Sequence, residues 1–279
     1  MADPTHRVLK GVHWRAVGTV DGPATLAVSP LDGTGVVHAE AWGPGAERVL
    51  DRLPSLLGAL DDPSGFRPLH PVVAELHRRR PHWRLARTAS VWDALVPVVI
   101  EQKVTGQEAT IGIRSLLARY GSPAPGHGAS LGLRTFPSPE EVRLVPSWEW
   151  LSLGIDPARS RTLVAAARVA PTLERVLPAE PDAADARLRS LPGIGVWSSA
   201  EVRARALGDA DAVSFGDYHL ATHVGRVLAG EPFDDARLAE FLEPWQPHRG
   251  RAAAYATMVA LTLPRRGPRM APRTHLPIR

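Results

Sequence analysis

At 279 residues, 44% of them hydrophobic and 22% charged, the chain is long enough to bury one sizeable core or two smaller ones. Cysteine is absent, which excludes a disulfide scaffold, a thiolate zinc site, an iron–sulfur cluster and a cysteine nucleophile. The net charge of +4 rests on arginine, because Lys10 and Lys103 are the only lysines among 33 basic residues, and guanidinium groups suit phosphate partners. The opening MADPTHRV lacks the basic and apolar regions of a signal peptide, and no window reaches the roughly 18 apolar residues of a membrane span, so a cytoplasmic protein without a membrane partner is expected.

The first 42 residues alternate apolar and polar positions in short runs, as in Thr25 to Val28 and Val36 to Ala41, around a turn at Pro30, Leu31, Asp32 and Gly33; this predicts antiparallel strands. Gly43 to Leu60 and Pro68 to Arg79 read as helices starting at Pro44 and Pro68, with a loop from Asp61 to Gly65 between them. From Ser90 the strand signals stop. Trp92, Leu95, Val96, Val99 and Ile100 follow helical spacing behind a Ser90…Asp93 cap, and Pro97 should kink that helix. Ser138-Pro139 with Glu141, Asp156-Pro157, and Asp182 supply further helix starts, giving seven to nine helices after Ser90. Three parts are expected: an α+β domain over 1–85, an all-α domain over 86–264, and a basic Pro/Arg-rich tail over 265–279.

The informative segment is RLRSLPGIGVWSSAEVRARALGDADAVSFGDYHL, Arg187 to Leu220. It predicts a helix, a tight turn in which Gly193 and Gly195 permit positive φ or close backbone approach, and a second helix opening at Val196 to Ser198. Backbone amides at such a turn make an anion site; the plainer alternative is a glycine cap between two core helices. Asp217 follows in Gly-Asp-Tyr-His, heading a helix through Arg226 and Leu228, where it is either an N-cap or something more.

LPGIGVW followed about twenty residues later by VSFGDYHL resembles the helix-hairpin-helix and Gly/Pro-rich-Asp signature of the DNA glycosylase superfamily (HhH-GPD), in particular its DNA-3-methyladenine glycosylase II (AlkA-type) branch. The resemblance continues through VWDALVPVVIEQKVTGQEA (Val91 to Ala109) and EPWQPHRGRAAAYA (Glu243 to Ala256) and covers most of Ser90 to Leu263. It implies a mostly α fold with an AlkA-like accessory antiparallel-sheet domain at the N-terminus, and a monomer that acts on double-stranded DNA carrying damaged bases. Asp217 then matches the catalytic carboxylate, which stabilises the oxocarbenium charge of N-glycosidic cleavage, and helix-terminal amides would keep it ionised.

Trp197 stands where bifunctional members carry a Schiff-base lysine, so no AP lyase activity is expected. Its indole either stacks on the extruded base or packs in a core. Gln102 and Lys103 match the loop that fills the gap left by the flipped nucleotide, although the best-known members carry an apolar residue near the Lys103 position. Glu201, one turn beyond Trp197, stands where alkyladenine enzymes can place an aromatic residue. Gly193, Ile194, Gly195, Val196 and Ser198 are the expected DNA-binding residues of the hairpin, and carbonyls at Arg189, Leu191 and Ile194 the expected holders of a structural Na+ or K+. No other cofactor is expected.

The function implied is excision of 3-methyladenine and 7-methylguanine type bases in base excision repair. The alternatives are the same fold acting on deaminated, etheno or oxidised purines, and a non-catalytic binder of damaged DNA. His70, His77 and His82 with Glu75 match no zinc spacing. His248, Arg249 and Arg251 are expected to face DNA or solvent, and the arginines at 78–80, 265, 266, 269, 273 and 279 solvent or phosphate.

Overall fold

The computed structural model describes residues 4–262. The expected basic tail lies outside the described residues, as does the end of the expected all-α domain. Within the described residues the chain forms two compact units, each assembled from two separate stretches: one takes the chain up to Leu53 with Leu95–Glu174, the other Pro54–Ala94 with the described residues from Arg175.

In the first unit, β1 (His6–Leu9), β2 (Val12–Thr19), β3 (Gly22–Val28) and β4 (Ala39–Trp42) form an antiparallel meander in chain order. The run expected from Val36 becomes strand only at Ala39. Trp14 opposes Ala27 and Ala16 opposes Thr25, which puts these four on one face of the sheet. That face is covered by the segment from Ala124 to Leu133: Ala16, Ala124 and Leu133 are buried together, and the Thr25 hydroxyl donates to the Pro125 carbonyl at 2.6 Å. The sheet therefore takes its cover from beyond residue 85. The expected boundary marks where strands stop, and the compact units follow a different line.

Helices dominate the rest. Among the described residues, twelve α-helices follow Ser90 rather than seven to nine, because His127–Ser130, Glu149–Ser152 and Ala170–Leu173 are single turns too short to show periodicity. The Ser90 hydroxyl caps Val91–Glu101 by accepting the Asp93 amide at 3.3 Å, and that helix runs through Pro97. Ser138 and Asp156 cap their helices as expected, with Pro139 and Pro157 in the first turn. Asp182 is a first-turn residue of Pro181–Arg189, whose N-cap is Glu180. The helix expected over Gly43 to Leu60 is broken into Ala46–Asp51 and Leu53–Leu56, and the next starts at Pro71, not Pro68, with His70 Nδ1 accepting the Val72 amide at 3.2 Å.

The core of the second unit gathers Phe66, Val73, Val224, Leu238, Leu242, Trp245, Ala252 and Tyr255. Arg251, expected to face DNA or solvent, is wholly buried there. Its Nη2 donates to Asp61, whose other oxygen accepts the Leu85 amide at 3.0 Å, and its guanidinium lies 5.7 Å from the Trp83 ring and 6.0 Å from Phe66. The aromatic faces partly replace the hydration that Nε and Nη1 lose, since neither finds a protein acceptor among the described residues. Arg249, half-buried, makes a two-pronged pair with Asp211, whose hydrogen bonds push its guanidinium pKa up. Burial lowers the pKa of the neighbouring His248.

Candidate active site

The hairpin is where the sequence places it: helix Pro181–Arg189, a turn, and helix Val196–Val202. Only one of the two glycines uses its conformational freedom. Gly193 is left-handed with φ +90°, whereas Gly195 is extended at φ −98°, and a side chain there would meet nothing within 4 Å. Leu191 and Ile194 plug the turn into the interior, and the Ile194 amide donates to the Leu191 carbonyl at 3.0 Å. Ile194 and Ser198 are buried, so neither side chain can reach a phosphate; Gly193, Gly195 and Val196 are exposed.

Asp185 clamps the two helices together. It accepts the hydroxyl of the fully buried Ser199 at 2.7 Å and pairs with Arg189 at 3.3 Å and Arg203 at 3.7 Å. The sequence gives no local sign of this clamp, because its partners lie on different helices. Beyond it, Arg203–Leu207 is a π-helix, whose Arg205 and Ala206 carbonyls accept the Thr88 and Ala89 amides at 2.8 and 3.2 Å. Trp197 is part-exposed, unlike the buried Trp92, Trp150 and Trp245. Glu201, one turn later, pairs with Arg205 and accepts the Ser214 hydroxyl.

Asp217 follows a tight turn in which Gly216 is left-handed at φ +87° and donates its amide to Asp235 at 2.9 Å. The Asp217 amide donates to the Ser214 carbonyl at 3.1 Å. Its Oδ1 accepts the amides of His219 and Leu220, both at 2.8 Å, and so caps helix Leu220–Leu228; Oδ2 accepts no hydrogen bond among the described residues. One oxygen thus fixes the orientation of the carboxylate. Tyr218 and His219 beside it are exposed, and His219 stacks on His223 at 5.3 Å.

That helix is held from behind at Gly225, where a Cβ would come within 2.4 Å of the Glu231 carbonyl oxygen and 2.7 Å of the Phe233 amide nitrogen. Backbone cannot yield as a side-chain tip can. Gly225→Ala is therefore expected to lower unfolding stability by about 1–3 kcal/mol in urea denaturation; an unchanged midpoint would show that the turn is free to move.

Gln102 and Lys103 belong to the first unit. They form the turn between Val91–Glu101 and Gly106–Tyr120, with Lys103 exposed and left-handed at φ +53°. Thr105 and Glu108 close a reciprocal capping box after the turn. Before it, the buried Arg159 donates to the Ile100 carbonyl at 2.7 Å and to Gly154 at 3.1 Å, while its partner Asp156 is pushed up by burial but held lower overall by hydrogen bonds from Arg159. His77 bonds the Tyr255 hydroxyl at 3.0 Å and Glu75 pairs with Arg78 and Arg79, so these residues serve local structure.

No protein-family model matches the chain. It is 31% identical over 180 residues, 63% of its length, to the probable bifunctional transcriptional activator/DNA repair enzyme AlkA of Mycobacterium tuberculosis. The chain spans about a third of the length of that curated relative, 35%. Among solved structures, the 3-methyladenine DNA glycosylase of Archaeoglobus fulgidus superposes with a TM-score of 0.76 at 20% identity, covering 93% of this chain and 91% of that one. The 8-oxoguanine glycosylase/lyase of Clostridium acetobutylicum, bound to double-stranded DNA, gives 0.70 at 12% identity, with 93% and 88% covered. The chain therefore shares the fold of these DNA glycosylases.

Proposed function

We propose that the chain is a monofunctional DNA glycosylase that flips alkylated purines of the 3-methyladenine and 7-methylguanine type from duplex DNA and hydrolyses the N-glycosidic bond. The observation that carries the reading is Asp217, fixed through Oδ1 by two helix-terminal amides with Oδ2 free. A fixed anion stabilises the positive charge that grows on the sugar as the bond breaks. A base made cationic by N3 or N7 alkylation leaves without a general acid, so one carboxylate is sufficient. Part-exposed Trp197 offers an indole face on which an electron-poor base can stack. Tryptophan at that place also supplies no amine for a Schiff base, which supports hydrolysis without strand cleavage.

Gln102 or Lys103 fills the gap left by the extruded nucleotide in this reading. The exposed backbone at Gly193, Gly195 and Val196 meets a phosphate. The carbonyls of Arg189, Leu191 and Ile194 are hard oxygen donors that suit Na+ or K+, and the Leu191 carbonyl keeps a lone pair after accepting the Ile194 amide. A cation bound there would supply positive charge toward the same phosphate.

The test is base release from methylated duplex DNA. Free 3-methyladenine or 7-methylguanine, with nicking only after alkali, is the expected result. Direct nicking would overturn the absence of lyase activity; release of oxidised or deaminated bases instead would move the substrate class; and tight binding without any release would leave a damage-binding protein. Affinity for duplex DNA should also fall linearly on a log–log plot against salt, by about 10³-fold between about 50 and 200 mM if some six phosphates are neutralised. A flat salt response would remove DNA as the partner.

A further inference from the structure

Glu201 joins the hairpin's second helix to the Asp217 turn. Both of its oxygens are engaged: Oε2 pairs with Arg205 Nη2 at 2.6 Å and Oε1 accepts the Ser214 hydroxyl. The side chain is 22% exposed, so these bonds are largely shielded from water. Ser214 works in both directions. Its hydroxyl donates to Glu201, and its carbonyl accepts the Asp217 amide at 3.1 Å. A single residue therefore stands between the helix that carries Trp197 and the backbone of Asp217.

Resting on the reading of Asp217 as the catalytic carboxylate, we propose that Glu201 is a positioning residue that sets Asp217 through Ser214. With both oxygens occupied it has no lone carboxylate oxygen aimed elsewhere, and its action is on the turn. The turn has a second tether, the Gly216 amide on Asp235, so it persists when Glu201 is lost but can swing about the remaining attachment. A displacement of about 1 Å at a reacting group is enough to cost on the order of 10²-fold in rate.

The experiment is single-turnover base release from methylated duplex DNA at saturating protein, with affinity for unmodified duplex and the unfolding midpoint measured on the same variants. Glu201→Ala and Ser214→Ala are each expected to slow release by about 10- to 100-fold, with affinity and unfolding midpoint close to wild type. Glu201→Gln, which keeps an oxygen for Ser214, retains most of the rate. The double Glu201→Ala/Ser214→Ala variant is no slower than either single one, because both break the same link. Release at the wild-type rate by Glu201→Ala, a loss that tracks affinity or unfolding, or full additivity in the double variant would overturn the proposal. Asp217→Asn, run alongside, separates the two ideas: if it still releases base at full rate the reading of Asp217 fails, whereas an inactive Asp217→Asn beside an unaffected Glu201→Ala removes only the role of Glu201.

Discussion

Asp217→Asn is expected to slow base release by on the order of 10²–10³-fold while leaving unfolding stability nearly unchanged. Asparagine keeps an oxygen at Oδ1 for the His219 and Leu220 amides and caps helices about as well as aspartate. What it removes is the negative charge that the proposed mechanism sets opposite the sugar. Asp217→Ala removes both charge and cap, and should lose the same rate plus about 1 kcal/mol of stability. The comparison separates two roles that coincide in one side chain. If Asp217→Asn works at the wild-type rate, Asp217 is a cap and the catalytic assignment falls.

The second large effect is structural. Asp61→Ala leaves the Arg251 guanidinium wholly buried without its hydrogen-bonded counter-charge, and is expected to cost about 3–5 kcal/mol in denaturant unfolding. Arg251→Met should cost less, because Asp61 keeps the Leu85 amide as a donor. Replacing both, as Asp61→Leu with Arg251→Met, is expected to cost less than Asp61→Ala alone, since no unpaired charge is then left inside. A loss below about 1 kcal/mol for Asp61→Ala would mean that Arg251 escapes to water through a rearranged helix start.

Local chemistry made much of this legible. Ser90, Ser138 and Asp156 cap helices because a short oxygen-bearing side chain ahead of an apolar face has few other uses, and Gly193 is left-handed as its tight turn requires. What was hidden depended on partners far away in the chain. Nothing near residue 251 announces that Asp61 will bury its guanidinium, so Arg251 looked like one more basic surface residue. The cover of the sheet at Ala124 to Leu133 was equally silent, because its glycine-rich run carries no periodicity. At the candidate site, Asp217 and Trp197 were visible as motif residues, while Asp185, Ser199 and the Ser214 link to Glu201 were not. Their role is to hold other residues, and it emerges only once two helices are brought together.

The pairing of Asp61 with Arg251 spans 190 positions. During synthesis the first unit has its described stretches in hand once Glu174 leaves the ribosome, but the second waits for its closing helix. At about 5–20 residues per second, the interval from residue 174 to 251 is roughly 4–15 s. Throughout it, Asp61, Phe66 and Val73 stand without the helix that buries them. Nascent chains arrested in that interval should therefore be the ones that chaperones hold and proteases cut, and release of helix Arg249–Ala260 should end both.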